Sequence, residues 1–444
     1  MKIWKQLLGL FFLLVVLDGA LRKWVLPSYA TPLLLLKDVV LWGGFLVYAF
    51  SRDPFELPRP LRSTWIPVLL VAYISVVLLQ AFNVRQLNLI VPVIGLKAHL
   101  VYLPLVVLLP ALLSQITERE GLRFLWKYSV YLYLPILILC VYQFFQPKTA
   151  WINQYVREMT TVATVEEHPR ITGTFSYIGS LAPYLRFNGY LSASILLAGI
   201  QWNRRKITAL GSLLLAGTFV VLPMTGSRGN VLLVAGGLVA LILVVKLKRG
   251  ARLRILGGLV IISVIAVQGL SGSILLEGWE ALLTRVDPAG VEDAQGRTLS
   301  LLLAPFKRME EAGLFGYGVG TQHQAAGRFV SGSIREAFIG TDNGALRLLA
   351  ELGILGWIVL LSLKTALMYF ALQSVRRSQG PLELIIGATA FCMLLSNLWL
   401  PIIFRLVSSA LYWGSAGAML GVWSLQEVRG GSQQARQGRS LVGS

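Results

Sequence analysis

Apolar residues run along this chain in unbroken stretches of roughly twenty, not in the three-four rhythm of a surface helix or the alternation of a half-buried strand. The stretches predict helices at approximately 4–21, 32–50, 66–82, 89–113, 124–146, 181–201, 207–224, 230–247, 253–271, 353–373, 382–399 and 404–424. A bilayer core offers the backbone no hydrogen-bond partner, so only helices and closed barrels cross it, and barrel strands would alternate. The pattern therefore predicts an all-α polytopic membrane protein of about 12 transmembrane helices. The first stretch follows Lys2 and Lys5 as a signal peptide would. Asp18-Gly19-Ala20-Leu21-Arg22-Lys23 stands where a small-residue cleavage site would be needed, so this reads as a retained first helix.

The polar connections sort by charge. One set holds Lys2 and Lys5; Arg52, Arg59 and Arg62; Arg119, Arg123 and Lys127; Arg204, Arg205 and Lys206; Lys246 to Arg254; Arg376 and Arg377; and the tail arginines. Arg22, Lys23, Arg85 and Arg228 are the basic residues of the short loops in the other set. Basic residues gather on the cytoplasmic side, which predicts both termini there. The long segments 147–180 and 272–352 then fall on the outer face, the second Gly-rich and partly helical. Long loops of this kind usually carry function. Residues 1–429 read as one membrane domain, and 430–444, made mostly of Gly, Ser, Gln and Arg, as a disordered cytoplasmic tail.

Composition narrows the picture further. Of 444 residues, 55% are hydrophobic and 14% charged, with mean hydropathy +0.68, which excludes an ordinary soluble domain. The net charge of +19 is accounted for by basic membrane loops, and no basic-aromatic surface points to nucleic acid. Cys140 and Cys392 both lie in apolar stretches, which argues against a disulfide framework or thiolate metal site.

Candidate chemistry falls in four places. Asp18, Arg22, Lys37, Asp38 and Lys97 are charges within or beside spans. Ion pairing between helices is one reading, and a functional site, such as a cation meeting a membrane-lipid phosphate beside His99, is the other. A bend is expected in that fourth span after Pro92 and Gly95. Thr225-Gly226-Ser227-Arg228-Gly229-Asn230 opens a helix on the outer side. There the helix N-terminus and the Arg228 fork could hold phosphate, with Gly226 and Gly229 admitting a ligand and Ser227 beside them. An interfacial arginine is the alternative. The long outer loop brings Gly296-Arg297, then Gly316, Gly318 and Gly320, then Asp342-Asn343 and Arg347. Asp342 could cap the following helix or do chemistry. His168 and Arg170 lie in the first outer loop; His168 and His323 lack metal-ligand spacing, and no Asp-x-Asp occurs in the chain.

These residues resemble the O-antigen ligase and polymerase superfamily of bacterial surface-polysaccharide assembly. The resemblance rests on Arg170-x-x-Gly173-Thr174-Phe175, Gly226-Ser227-Arg228-Gly229, Gly296-Arg297, Leu314-Phe315-Gly316-x-Gly318-x-Gly320, and Asp342-Asn343 leading to Glu351-Leu352-Gly353-Ile354-Leu355-Gly356. Asp18 to Trp24 with Lys37-Asp38 looks like the exopolysaccharide-polymerase branch. The resemblance implies a GT-C-like fold in the inner membrane and an inverting, metal-independent glycosyltransferase without a cofactor. Its donor would be a glycan on undecaprenyl diphosphate, and its acceptor a glycan or lipid-linked glycan. Chain-length regulators and export proteins are the partners this implies. Arg228, Arg297, Arg170 and Arg347 would hold the diphosphate, with Asn343 supporting the site and Asp342 as base where relatives often carry His. Polymerisation is the expected reaction. Ligation onto a lipid is the near alternative, a flippase or transporter the rival from another class, and a non-catalytic assembly subunit a third option. No repeated halves or broken midplane helices favour a transporter.

The charge sorting makes a topological prediction. Reporter fusions after Gln146 and after Gly296 should be active only outside the cytoplasm, and one after Arg249 only inside. A cytoplasmic signal at Gly296 would overturn the helix count.

Overall fold

The computed structural model of the chain describes residues 3–51, 57–86, 88–156, 164–165, 168–247, 303–329 and 343–442. These are mostly helical, and the one two-stranded ribbon pairs Thr164–Val165 with His168–Pro169. We label the main helices α1 (Ile3–Ala20), α2 (Ala30–Phe50), α3 (Ile66–Ala81), α4 (Ile90–Leu100), α5 (Leu105–Leu113), α6 (Glu118–Tyr128) and α7 (Leu134–Phe144). There follow α8 (Ile178–Gln201), α9 (Arg205–Met224), α10 (Arg228–Val244), α11 (Gly344–Arg376), α12 (Pro381–Ser396) and α13 (Leu406–Val442). Every expected span coincides with helix except 253–271, which lies outside the described residues. Among the described residues six helical stretches are long and apolar enough to cross a membrane, and Ile66–Ala81, Gly229–Val244 and Pro381–Ser396 are shorter apolar helices. The chain is thus a mostly helical, polytopic membrane protein.

Helix α8 is the centre of the bundle. It packs against α9, α10, α12 and α13, and nearly every residue from Leu181 to Gly199 is buried. Most of its polar side chains find partners within the bundle, although the buried Nε of Arg186 has none among the described residues. Ser192 and Ser194 donate to the carbonyls one turn back at 2.6 and 2.7 Å, and Tyr128 donates to Asn188 Oδ1 at 2.9 Å. A polar group left unpaired here would cost several kcal/mol, on the order of a buried amide moved to hydrocarbon. Outer helices present apolar side chains instead: Val39, Val68, Leu79, Ile138 and Leu243 are exposed, as a lipid-facing surface requires.

The bundle has two chemically distinct ends. At one, Ser63 donates to Glu427 at 2.8 Å, and Glu118, Arg119 and Arg123 share a surface with Arg204. At the other, Lys23 reaches the 172–173 loop, Arg170 the 225–226 turn and Asn83 the 315–316 loop.

Three boundaries differ from the sequence expectation. The fourth span does not bend at Pro92 or Gly95; it breaks at 101–104, ahead of Leu105. Pro92 lies in the first turn of α4, where a missing N–H costs nothing. Helix α11 begins at Gly344, nine residues before the expected span, and its early residues are buried. Helix α13 continues through Val442, where composition alone predicts a disordered tail from 430; Gln, Ala, Arg and Leu there are good helix formers.

Within α11 the helix breaks at Gly353, with φ +68° and ψ −177°. Its Cβ, if present, would lie 2.3 Å from the Leu314 carbonyl oxygen. The 313–318 segment takes up the freed groups: Tyr317 N–H donates to the Ala350 carbonyl, Gly318 N–H to Glu351, Ile354 N–H to Gly313 and Leu355 N–H to Leu314. Gly353→Ala should therefore cost more than the roughly 1–2 kcal/mol of left-handed strain, because the loop must also move. Gly9, which has open space around it, is the control: Gly9→Ala should leave the melting temperature in detergent near wild type while Gly353→Ala lowers it.

Candidate active site

The end of the bundle that carries the outer-loop motifs is built from four pieces. The first is the turn before α10. Gly226 takes φ +64°, and α10 starts at Arg228 with Ser227 in the N-cap position. The Ser227 hydroxyl accepts from Asn230 Nδ2 at 2.7 Å and does not cap an amide. Among the described residues nothing stands within 4 Å of where a Gly229 Cβ would be. Arg170 holds the turn from the side, donating through Nε to the Thr225 carbonyl at 3.0 Å and through a terminal nitrogen to Gly226 at 3.4 Å.

The second piece is the glycine-rich loop. Gly316, Gly318 and Gly320 have φ of +65°, +98° and +89°, so the spacing reflects backbone shape. Asn83 and Gln86 donate to carbonyls of this loop, and Arg85 stacks 5.0 Å from the Tyr317 ring. The loop presses on α4, where a Gly95 Cβ would sit 2.4 Å from the Val319 carbonyl carbon.

The third piece is the start of α11. Asn343 is its N-cap: the side-chain oxygen accepts from Ala345 and Leu346 N–H at 3.1 and 3.2 Å. The cap offered above as an alternative role for Asp342 is thus filled by its neighbour. Arg347 donates to the Gln322 carbonyl and lies 4.2 Å over the Phe404 ring. Beneath it, Glu351 Oε1 accepts from Gln322 N–H at 2.9 Å, and Glu351 Oε2 pairs with His99 Nε2 at 2.9 Å. His99 Nδ1 contacts the Tyr73 hydroxyl at 2.8 Å, and all three side chains are buried. His323 sits beside this group with its Nδ1 accepting from Ala325 N–H. Burial lowers its pKa below the ordinary imidazole range; Glu351 opposes the shift, while Arg347, Lys97 and His99 add to it.

The fourth piece is a brace from the N-terminal helix. A π-turn over Leu21–Val25 aims Arg22 at Ser176 and Lys23 at Thr172 Oγ1 and the Gly173 carbonyl, at 3.0 and 2.9 Å. Gln143 holds Gly173 from the other side through N–H and carbonyl.

The intramembrane charges resolve into pairs. Lys37 meets Asp18 at 3.1 Å, and Arg22 is 3.8 Å from the same carboxylate. Lys97 meets Asp38 at 2.9 Å, and Tyr102 donates to Asp38 at 3.2 Å. Pairing answers the cost of a charge at membrane depth, so a lipid phosphate is not needed to explain them. Arg297, Asp342 and the Arg228 side chain lie outside the described residues. His168 stacks on Phe144 at 4.4 Å, and among the described residues no three His, Cys, Asp or Glu side chains cluster for a metal.

Residues 211–361 match the family model described as O-antigen ligase. That region is similar to the O-antigen ligase family. The match contains the 225–230 turn, the glycine loop and the start of α11, so it supports the superfamily resemblance drawn from those motifs. No curated protein matches the chain. The match covers about a third of the chain and suggests a membrane glycosyltransferase-type enzyme of the ligase or polymerase kind.

Sequence reading missed the partners, not the motifs. Glu351 stood inside a quoted motif, but nothing in the spacing joined it to His99 and Tyr73, 252 residues away for His99. Arg186, buried in α8 and donating to Asn397, and Lys364, donating to the carbonyls of Asn397, Leu398 and Leu400, also escaped notice. A charge inside an apolar helix was their only signal. The cap gives a test: Asn343→Ala should cost about 1 kcal/mol of stability, read as a lower melting temperature, and Asn343→Asp should restore it.

Proposed function

We propose that this O-antigen ligase-family protein is a polymerase: an inverting, metal-independent glycosyltransferase that joins oligosaccharide repeats carried on undecaprenyl diphosphate. It would work at the outer face of a bacterial inner membrane, with about 12 helices in a GT-C-like arrangement and both termini cytoplasmic. The observations that support the reading are the two helix N-termini, at α10 after the Gly226 turn and at α11, where Arg347 is bonded to the segment that follows the glycine loop. Helix starts and arginine forks are suited to an anionic leaving group. Gln322 adds to it: its buried carboxamide has no hydrogen-bond partner among the described residues, as expected of a group that meets a polar ligand.

In this mechanism Arg228 and Arg297 bind the diphosphate, and Arg347 adds positive charge from α11. Arg170, engaged with the 225–226 carbonyls, contributes chiefly by holding the Arg228 turn. Asp342 takes the proton of the acceptor hydroxyl as that oxygen attacks the anomeric carbon from the face opposite the diphosphate. The bond from that carbon to the diphosphate oxygen breaks, and undecaprenyl diphosphate leaves with the electron pair. Arginines, not a metal, carry the leaving-group charge in this scheme, consistent with a chain lacking any Asp-x-Asp pair. The exopolysaccharide-like opening, Asp18 to Trp24, favours a lipid-linked glycan acceptor over ligation, with membrane lipids around it and chain-length and export proteins as neighbours.

The test is polymer formation by purified protein from an undecaprenyl-diphosphate oligosaccharide in excess chelator. Wild type should make long chains, and Asp342→Asn should lose roughly a hundredfold or more in rate with donor binding intact. Because Asn343 holds the cap, that substitution leaves the helix start unchanged. Full-length polymer from Asp342→Asn would remove the base, restoration by magnesium would remove metal independence, and transfer only to a lipid acceptor would make the protein a ligase.

A further inference from the structure

Glu351 is a carboxylate with no exposed surface, 29 residues from Gln322. Its burial needs an explanation, because a buried ionisable group is costly unless each lone pair is used. Each carboxylate oxygen has a donor. Oε1 takes the Gln322 amide, and Oε2 takes His99 Nε2. The tautomer that satisfies all three side chains puts the His99 proton on Nε2, leaving Nδ1 to accept from the Tyr73 hydroxyl. The result is a directed chain in which Tyr73 donates to His99, and His99 and the Gln322 amide both donate to Glu351.

The far side of Gln322 matters equally. Its carbonyl accepts from Arg347, which stands one helical turn before Glu351 on α11. Residue 322 is therefore bracketed, amide to the carboxylate and carbonyl to the guanidinium. The Glu351 main-chain carbonyl meanwhile accepts from Gly318 N–H at 3.1 Å. One residue thus grips the glycine loop at two points and, through Gln322, sets the place of Arg347.

We propose that Glu351, held by His99 and Tyr73, is a positioning residue that fixes the 318–322 loop and through it the Arg347 guanidinium. The inference uses the transferase reading above only for what Arg347 does there. Glu351 touches no substrate in this account. Glu351→Gln can keep the Gln322 bond: its oxygen faces the amide, its NH2 faces His99, and the imidazole answers by switching tautomer. Glu351→Ala cannot. His99→Ala leaves the carboxylate buried with one donor lost, and Tyr73→Phe removes only the outermost link.

Two measurements test this. In polymerisation assays Glu351→Ala should lose on the order of a hundredfold in rate, as a misplaced catalytic contact does, with Glu351→Gln recovering most of it. Combined with Arg347→Ala, Glu351→Ala should add little further loss, since both changes disable one device. Losses that multiply would overturn the positioning role and leave Glu351 as a packing element. The second measurement is amide hydrogen exchange in detergent. Residues 314–322 should exchange faster in Glu351→Ala, to an intermediate degree in Tyr73→Phe, and near the wild-type rate in Glu351→Gln. Unchanged protection in Glu351→Ala would sink the inference whatever the activity. If wild type makes no glycan polymer, the transferase reading fails, and the exchange result still decides whether Glu351 holds the loop.

Discussion

Everything at the candidate active site depends on how a broken helix settles its hydrogen bonds away from water. When α11 breaks at Gly353, the carbonyls of Ala350 and Glu351 and the amides of Ile354 and Leu355 lose their helical partners. In hydrocarbon such groups have no solvent to fall back on. The 313–318 segment supplies all four partners, which is why the glycine loop lies where it does and why its glycines take left-handed conformations. Gly316 and Gly353 face each other so closely that a Cβ on Gly316 would stand 2.5 Å from the Gly353 nitrogen. Two motifs that look separate in the sequence are one interlocked piece of backbone.

Charge follows the same logic at longer range. Lys37 of α2 and Lys97 of α4 have carboxylates across the helix interface, and where a carboxylate is lacking, as for Lys364, main-chain carbonyls take its place. Three of those carbonyls belong to the 397–400 segment after α12, which leads to Phe404 under Arg347. A residue deep in the membrane therefore helps shape the surface on which an arginine of the site rests. Such couplings are short-range and steric, with each contact a direct hydrogen bond or ring contact.

The helices were legible because a bilayer imposes one length and one polarity on anything that crosses it. Most spans could be placed from apolar runs alone, and the motif order pointed to the family. The misses have specific causes. Pro92 looked like a kink because its position within the helix, first turn or interior, is invisible in an apolar run. Asp342 looked like a cap because Asp and Asn cap equally well, and only the geometry shows that Asn343 has the place. Arg170 anchors two backbone carbonyls of the 225–226 turn, contacts that residue type alone does not encode. Pairings such as His99 with Glu351 join distant segments, and no local pattern encodes them.

The N-terminal brace bears on how the chain can be made. Asp18 is met by Lys37 only 19 residues later, so the first two helices can enter the bilayer as a hairpin with that charge already answered. Lys23 must wait for Thr172, 149 residues further on. During synthesis its ammonium group stays at the membrane boundary, hydrated, while several more helices are inserted. The first helix therefore enters early, but its outer end is fastened only when the loop ahead of α8 arrives. Truncation before that loop would leave a membrane-inserted chain whose opening segment is threaded but not fastened.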